Sequence, residues 1–109
     1  MGRPRVVARG EVRWADVGMK KRPVVLLTRD RVINRIASVL IAPCTTTIRS
    51  LPSEVALDSV DGMPKPCVVN LDNVRVLRRE KLGPLITRLT PDRMEQVCDA
   101  LAVAVGCER

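Results

Sequence analysis

The 109-residue chain has no histidine, no tyrosine and no phenylalanine, and Trp14 is its one aromatic residue. Without histidine there is no Ser–His–Asp triad, no histidine acid/base pair and no histidine-containing metal site. With one ring there is no platform on which successive bases stack, which argues against RRM- and OB-type recognition. No apolar run approaches the ~18 residues of a membrane span, and no basic stretch leads into a signal-like apolar segment. A cytoplasmic protein that does not enter a membrane is therefore expected. Cys44, Cys67, Cys98 and Cys107 fall in no CxxC or zinc-like spacing. Those inside apolar patterns read as small buried hydrophobes rather than disulfide partners. No carboxylates converge recognisably for Mg²⁺, so neither a metal nor a cofactor is expected.

Basic charge is abundant. Lys and Arg number 19 against 12 Asp and Glu, a net charge of +7. Residues 1–31 hold nine basic side chains against Glu11, Asp16 and Asp30, so nearly all of the excess is N-terminal. Such clustering is the electrostatic footprint of a polyanion partner, with nucleic acid favoured over a membrane because no basic amphipathic helix accompanies it.

Most of the chain reads as short strands parted by turn residues. Glu11–Val17 alternates around Val12 and Trp14, and Gly18 ends it. Pro23–Thr28 and Ile36–Ala42 are apolar, β-branched runs, the second closed by Pro43. Glu54–Leu57, Cys67–Leu71, Val74–Leu77 and Leu85–Leu89 follow. A helical turn is expected over Asp30–Arg35. One long helix is plain: Thr90 is an N-cap, Pro91 suits the first helical position and Gly106 a C-terminal stop. Met94, Val97, Cys98, Leu101, Ala104 and Val105 form its apolar stripe. The pattern predicts a mainly β, α+β protein: a small antiparallel barrel or sandwich with a C-terminal helix. Residues 1–8 read as a flexible basic arm and 9–109 as a single domain.

Several residues could serve a phosphodiester. Arg22 precedes Pro23 and stands at a strand entrance beside Lys20 and Lys21, where a planar guanidinium could clamp a phosphate. Thr45, Thr46 and Thr47 end an apolar strand; their hydroxyls could bond a phosphoryl oxygen or close local turns on their own backbone. Arg49 adds charge to the same loop. Asp72 could accept a ribose proton or cap a turn, with Asn73 beside it. A site built of arginine, hydroxyl and carboxylate without a metal favours RNA, whose 2′-hydroxyl supplies an internal nucleophile.

Six stretches resemble, in order, the MazF/PemK (Kid-like) toxins. Arg9–Gly10–Glu11–Val12 with Trp14–Ala15–Asp16 resembles the opening motif. Arg22–Pro23–Val24–Val25–Leu26–Leu27–Thr28 with Asn34–Arg35 resembles the strand that follows it. Ala42–Pro43–Cys44–Thr45–Thr46, Leu51–Pro52–Ser53–Glu54–Val55, Asp72–Asn73 and Leu89–Thr90–Pro91–Asp92–Arg93–Met94 complete the series. The resemblance implies an SH3-like barrel of the MazF/PemK/CcdB toxin fold, acting as a homodimer. It implies metal-free cleavage of single-stranded RNA through a 2′,3′-cyclic phosphate, and a cognate antitoxin with an acidic, disordered tail. By motif match, Arg22, Thr45 and Asp72 are the expected catalytic residues. Lys20, Lys21, Thr46, Arg49 and Asn73 are the expected RNA contacts. Asn70 stands where Kid-like members carry an arginine, which favours Arg22 and Thr45 over a Kid-type mechanism. The loop joining the first two strands, Gly18–Met19–Lys20–Lys21, is short for the family. The alternatives are a toxin of the same fold that poisons DNA gyrase without cutting, and a nucleic-acid-binding barrel that cuts nothing.

Overall fold

The computed structural model describes residues 6–107. Seven strands, all paired antiparallel, are β1 (Glu11–Val17), β2 (Lys20–Leu26), β3 (Ser38–Thr45), β4 (Glu54–Leu57), β5 (Cys67–Asn70), β6 (Arg75–Arg78) and β7 (Leu85–Arg88). Two helices, α1 (Asp30–Ile33) and α2 (Pro91–Ala104), and three 3₁₀ turns complete the chain. The strand order is β4-β5-β3-β2-β1-β7, with β6 also on β3. The two ends of that path, β4 and β7, do not pair with each other, and the sheet curls into an antiparallel half-barrel, the small barrel with a C-terminal helix that the sequence led one to expect.

β2 shows why the apolar runs of this sequence do not alternate with polar residues. Val25 faces one core, with Val12, Ala42, Val69, Met94 and Val97. Val24 and Leu26 face a second, with Ala15, Ile33, Val39, Ile41 and Leu82. A strand covered on both faces is apolar throughout, and these three residues are fully buried. β3 runs on through Pro43, which was expected to close it. Its first half, Ser38–Ile41, pairs with β6, and its last residues, Cys44 and Thr45, pair with β5. Pro43 lies at the changeover of partner, where a missing N–H costs the ladder least.

In α2 the Thr90 hydroxyl accepts the Arg93 N–H at 3.2 Å, capping the helix as expected. Its buried stripe is Met94, Val97 and Ala100, with Leu101 and Ala104 half-buried. Cys98 and Val105, expected in that stripe, are exposed, as is Cys107. Only Cys44 and Cys67 are buried thiols, and all four cysteines are free. The expected arm does not reach residue 8: the Val7 backbone exchanges two hydrogen bonds with the Asn34 side chain, at 2.8 and 2.7 Å, and Val7 is buried. Residues 1–5 of that arm lie outside the described residues.

Ionic contacts fix two corners. At the start of β1, buried Glu11 accepts from Arg13 Nε at 2.8 Å, from the Ala8 N–H at 3.1 Å and from Arg88 at 3.4 Å. Near α2, Asp61 accepts from Arg93 Nε at 2.8 Å. The Arg93 guanidinium beside Asp61 holds its carboxyl below the usual carboxylate range. A lowered carboxylate stabilises the fold above the unfolded group's value and loses that contribution as pH falls through the folded one. Asp61→Asn is therefore expected to lower stability by about 1 kcal/mol at pH 7. The gap from wild type should close as pH falls below about 4. Melting curves across pH check this, and a gap that persists in acid contradicts it.

Candidate functional site

The β1–β2 connection is a two-residue turn, Gly18–Met19, with Val17 opposite Lys20. Gly18 takes φ +63°, the left-handed value that a glycine at the first position of a type II′ hairpin turn supplies. So tight a turn brings Lys20 and Lys21 into β2, two residues shorter than the loop the sequence suggested. Arg22 is thus the third residue of the strand and not its entrance, held opposite Ala15 in the β1–β2 ladder. On the other side of β2, Val24 faces Pro43. The ladder stops there, and Arg22, two residues before Val24, lines the same clefts as Thr45, two residues after Pro43 and the last of β3.

Two adjoining clefts open there, of about 290 Å³ and 350 Å³, and Arg22, Thr45 and Thr47 line both. The first adds Arg49, Arg75, Glu54, Asn70 and Asn73. The second adds Lys20, Lys21, Thr46, Lys65 and Trp14, with Cys44 and Cys67 among its lining. Among the described residues the two clefts together gather six cations and one carboxylate, Glu54, which shares its cleft with Arg22, Arg49 and Arg75; so positive a trough suits a phosphodiester backbone. Lys20, Lys21 and Arg22 rise from β2 and Arg75 from β6, so four of the six charges stand on strands, while Arg49 and Lys65 stand on loops.

The hydroxyl of Thr45 accepts the Thr47 N–H at 3.1 Å, so the local turn forms. That bond uses a lone pair and leaves the O–H proton to donate outward. Among the described residues Arg22 makes no ion pair, and it lines both clefts. Cys44 and Cys67 share a hydrogen bond, which, together with burial, pushes the Cys44 thiol well above its ordinary range. Cys44 therefore sits there as a neutral thiol at neutral pH.

Of the residues singled out from sequence, the clefts gather Lys20, Lys21, Arg22, Thr45, Thr46, Arg49 and Asn73. Asp72 is not among their lining. It lies in the 3₁₀ turn Leu71–Asn73, exposed, with its carboxylate accepting from the Ser53 hydroxyl. The turn rotates residue 72 away and leaves Asn70 and Asn73 facing the cleft. The sequence reading assigned no role to Glu54, Arg75 or Lys65. Glu54 carried one available signal: it falls in a stretch already matched to the family. Among the described residues no three acidic or cysteine side chains cluster as a metal ion would need.

The family model described as PemK-like, MazF-like toxin of type II toxin–antitoxin system matches residues 8–105. This chain belongs to that family. It is 47% identical over 104 residues to the probable endoribonuclease MazF5 of Mycobacterium tuberculosis (strain ATCC 25618 / H37Rv), covering 94% of this chain and 95% of the relative. The probable endoribonuclease MazF2 of the same strain is 42% identical over 100 residues, covering 91% and 98%. Among solved structures, a mycobacterial endoribonuclease in complex with its cognate antitoxin superposes with a TM-score of 0.86 at 30% identity, covering 95% of this chain and 99% of that one. Mycobacterium tuberculosis toxin MazF-mt6 superposes with a TM-score of 0.84 at 33% identity, covering 91% and 99%. The match to the PemK/MazF family spans both clefts and all seven strands.

Proposed function

We propose that this protein is the toxin of a type II toxin–antitoxin pair, a metal-independent endoribonuclease that cuts single-stranded RNA and so halts translation. The observation that carries the reading is the pairing of Arg22 with Thr45 in a cationic trough, in a chain whose relatives are named endoribonucleases. The 2′-hydroxyl attacks the adjacent phosphorus and the 5′-oxygen leaves, giving a 2′,3′-cyclic phosphate. Arg22 neutralises the charge that gathers on the phosphorane. An arginine keeps its charge in proteins, so charge stabilisation and not proton donation is its role. The Thr45 hydroxyl donates to a non-bridging oxygen. Lys20, Lys21, Thr46, Arg49 and Asn73 hold the flanking nucleotides.

The protein acts as a homodimer in the cytoplasm, and a cognate antitoxin with an acidic, disordered segment covers the trough. A net charge of +7 suits both that segment and RNA. None of the described helices is long and apolar enough to cross a membrane. The test is a primer-extension map of total RNA incubated with purified protein in excess EDTA. Discrete stops sharing a short sequence are the expected result. Intact RNA, or cleavage only after Mg²⁺ is added, overturns the metal-free reading.

A further inference from the structure

Among the described residues Glu54 is the one carboxylate that lines the cleft holding Arg22 and Thr45. It begins β4, directly opposite Asn70 of β5, which lines the same cleft. Its Oε1 accepts the N–H of Arg49 at 3.1 Å and that of Leu51 at 3.3 Å. Between them Ser50 takes φ +55°, a left-handed backbone that non-glycine residues seldom adopt. The carboxylate thus clamps a strained loop through one oxygen. Among the described residues the other, Oε2, has no hydrogen-bond partner, and Glu54 forms no ion pair although Arg22, Arg49 and Arg75 share the cleft with it. A carboxylate fixed by one oxygen and free at the other, among cations that draw in a phosphodiester, is placed to take a proton.

We propose that Glu54 is the general base of RNA cleavage, an assignment that rests on the nuclease reading above. Its Oε2 takes the proton of the 2′-hydroxyl as O2′ bonds to phosphorus. The P–O5′ bond breaks, the 5′-oxygen takes a proton from water, and Glu54 returns its proton to solvent. The carboxylate that sequence placed in this role, Asp72, is bonded to Ser53 outside the cleft.

The test uses full-length protein and a fluorescent single-stranded RNA carrying the sequence found at the mapped stops. Glu54→Gln keeps an oxygen for the Arg49 and Leu51 N–H groups and removes the base. Single-turnover cleavage is expected to fall about 10²–10³-fold. Affinity for the DNA oligonucleotide of the same sequence, which lacks the nucleophile, should stay within a few-fold. The acid-side fall of the wild-type pH–rate profile should flatten in the variant, a change that loss of loop geometry alone would not produce. The wild-type profile is itself a test should the variant melt early: a rate that does not fall in acid overturns the proposal. Glu54→Gln cleaving within threefold of wild type also overturns it, as does Asp72→Asn carrying the loss instead. Wild-type protein that cuts no RNA defeats the nuclease reading itself, and is told apart from these outcomes by the first control.

Discussion

Replacing Arg22 with alanine is expected to slow RNA cleavage about 10²–10³-fold while leaving the melting temperature unchanged. The size follows from removing a preorganised donor aimed at developing charge in a site shielded by strands. Stability should hold because the Arg22 side chain makes no ion pair among the described residues and its backbone stays in the β1–β2 ladder. Arg22→Lys keeps the charge but not the planar fork, so partial recovery is expected. Thr45→Val should cost about tenfold, the worth of one neutral hydrogen bond. Single-turnover rates with melting curves check all three. A folded Arg22→Ala protein that cuts at the wild-type rate would falsify the site, and DNA supercoiling by gyrase would then be the assay to run.

Glu11→Ala should have the largest effect on stability. The Glu11 side chain is 4% exposed, and its removal leaves the Arg13 side chain, 10% exposed, without its counter-charge. Arg13 keeps a bond to the Gly83 carbonyl at 3.0 Å, but that carbonyl does not neutralise it. An uncompensated buried charge costs about 3–5 kcal/mol. In a domain of this size that is a fall in melting temperature of roughly 12–30 °C. The neighbourhood has no slack to absorb the change: a Cβ on Gly83 would lie 2.9 Å from the Trp14 carbonyl. The double variant Glu11→Leu with Arg13→Met removes both charges and should be more stable than Glu11→Ala alone. A single variant that melts within a few degrees of wild type would show that Arg13 finds another partner or water.

The elements legible in the sequence were those whose signals are local. β1 and β4 begin and end where alternation predicted. Thr90 and Pro91 marked the start of α2, because a cap is a contact over three residues. The misplaced boundaries depend on pairing between distant strands. Lys20 and Lys21 look like loop until β1 pairs with them, and Pro43 looks like a stop until β5 takes up the edge that β6 leaves. Cys98 carries an apolar residue's spacing, but the packed face of α2 centres on Met94, Val97 and Ala100. The candidate site divides the same way. Arg22 and Thr45 were legible through short motifs. Glu54 was not assigned a role, because local sequence does not tell which side of the β4–β5 ladder faces the cleft. Asp72 carried the right chemistry, and a 3₁₀ turn that its sequence does not announce sets it on Ser53 and off the cleft lining.

The two-residue hairpin has a thermodynamic consequence. Each residue that must be ordered on binding costs about 1–2 kcal/mol of backbone entropy. A long, mobile β1–β2 connection would incur that cost whenever it folded over RNA. Here Lys20 and Lys21 are already in a ladder, so little of the attraction is lost to ordering. The same rigidity denies this wall of the groove a way to reshape itself around a poorly matched strand. Such a wall favours fast encounter and selects by fit, and its tolerance for variant targets should be set by the nucleic acid's own flexibility rather than by the protein's.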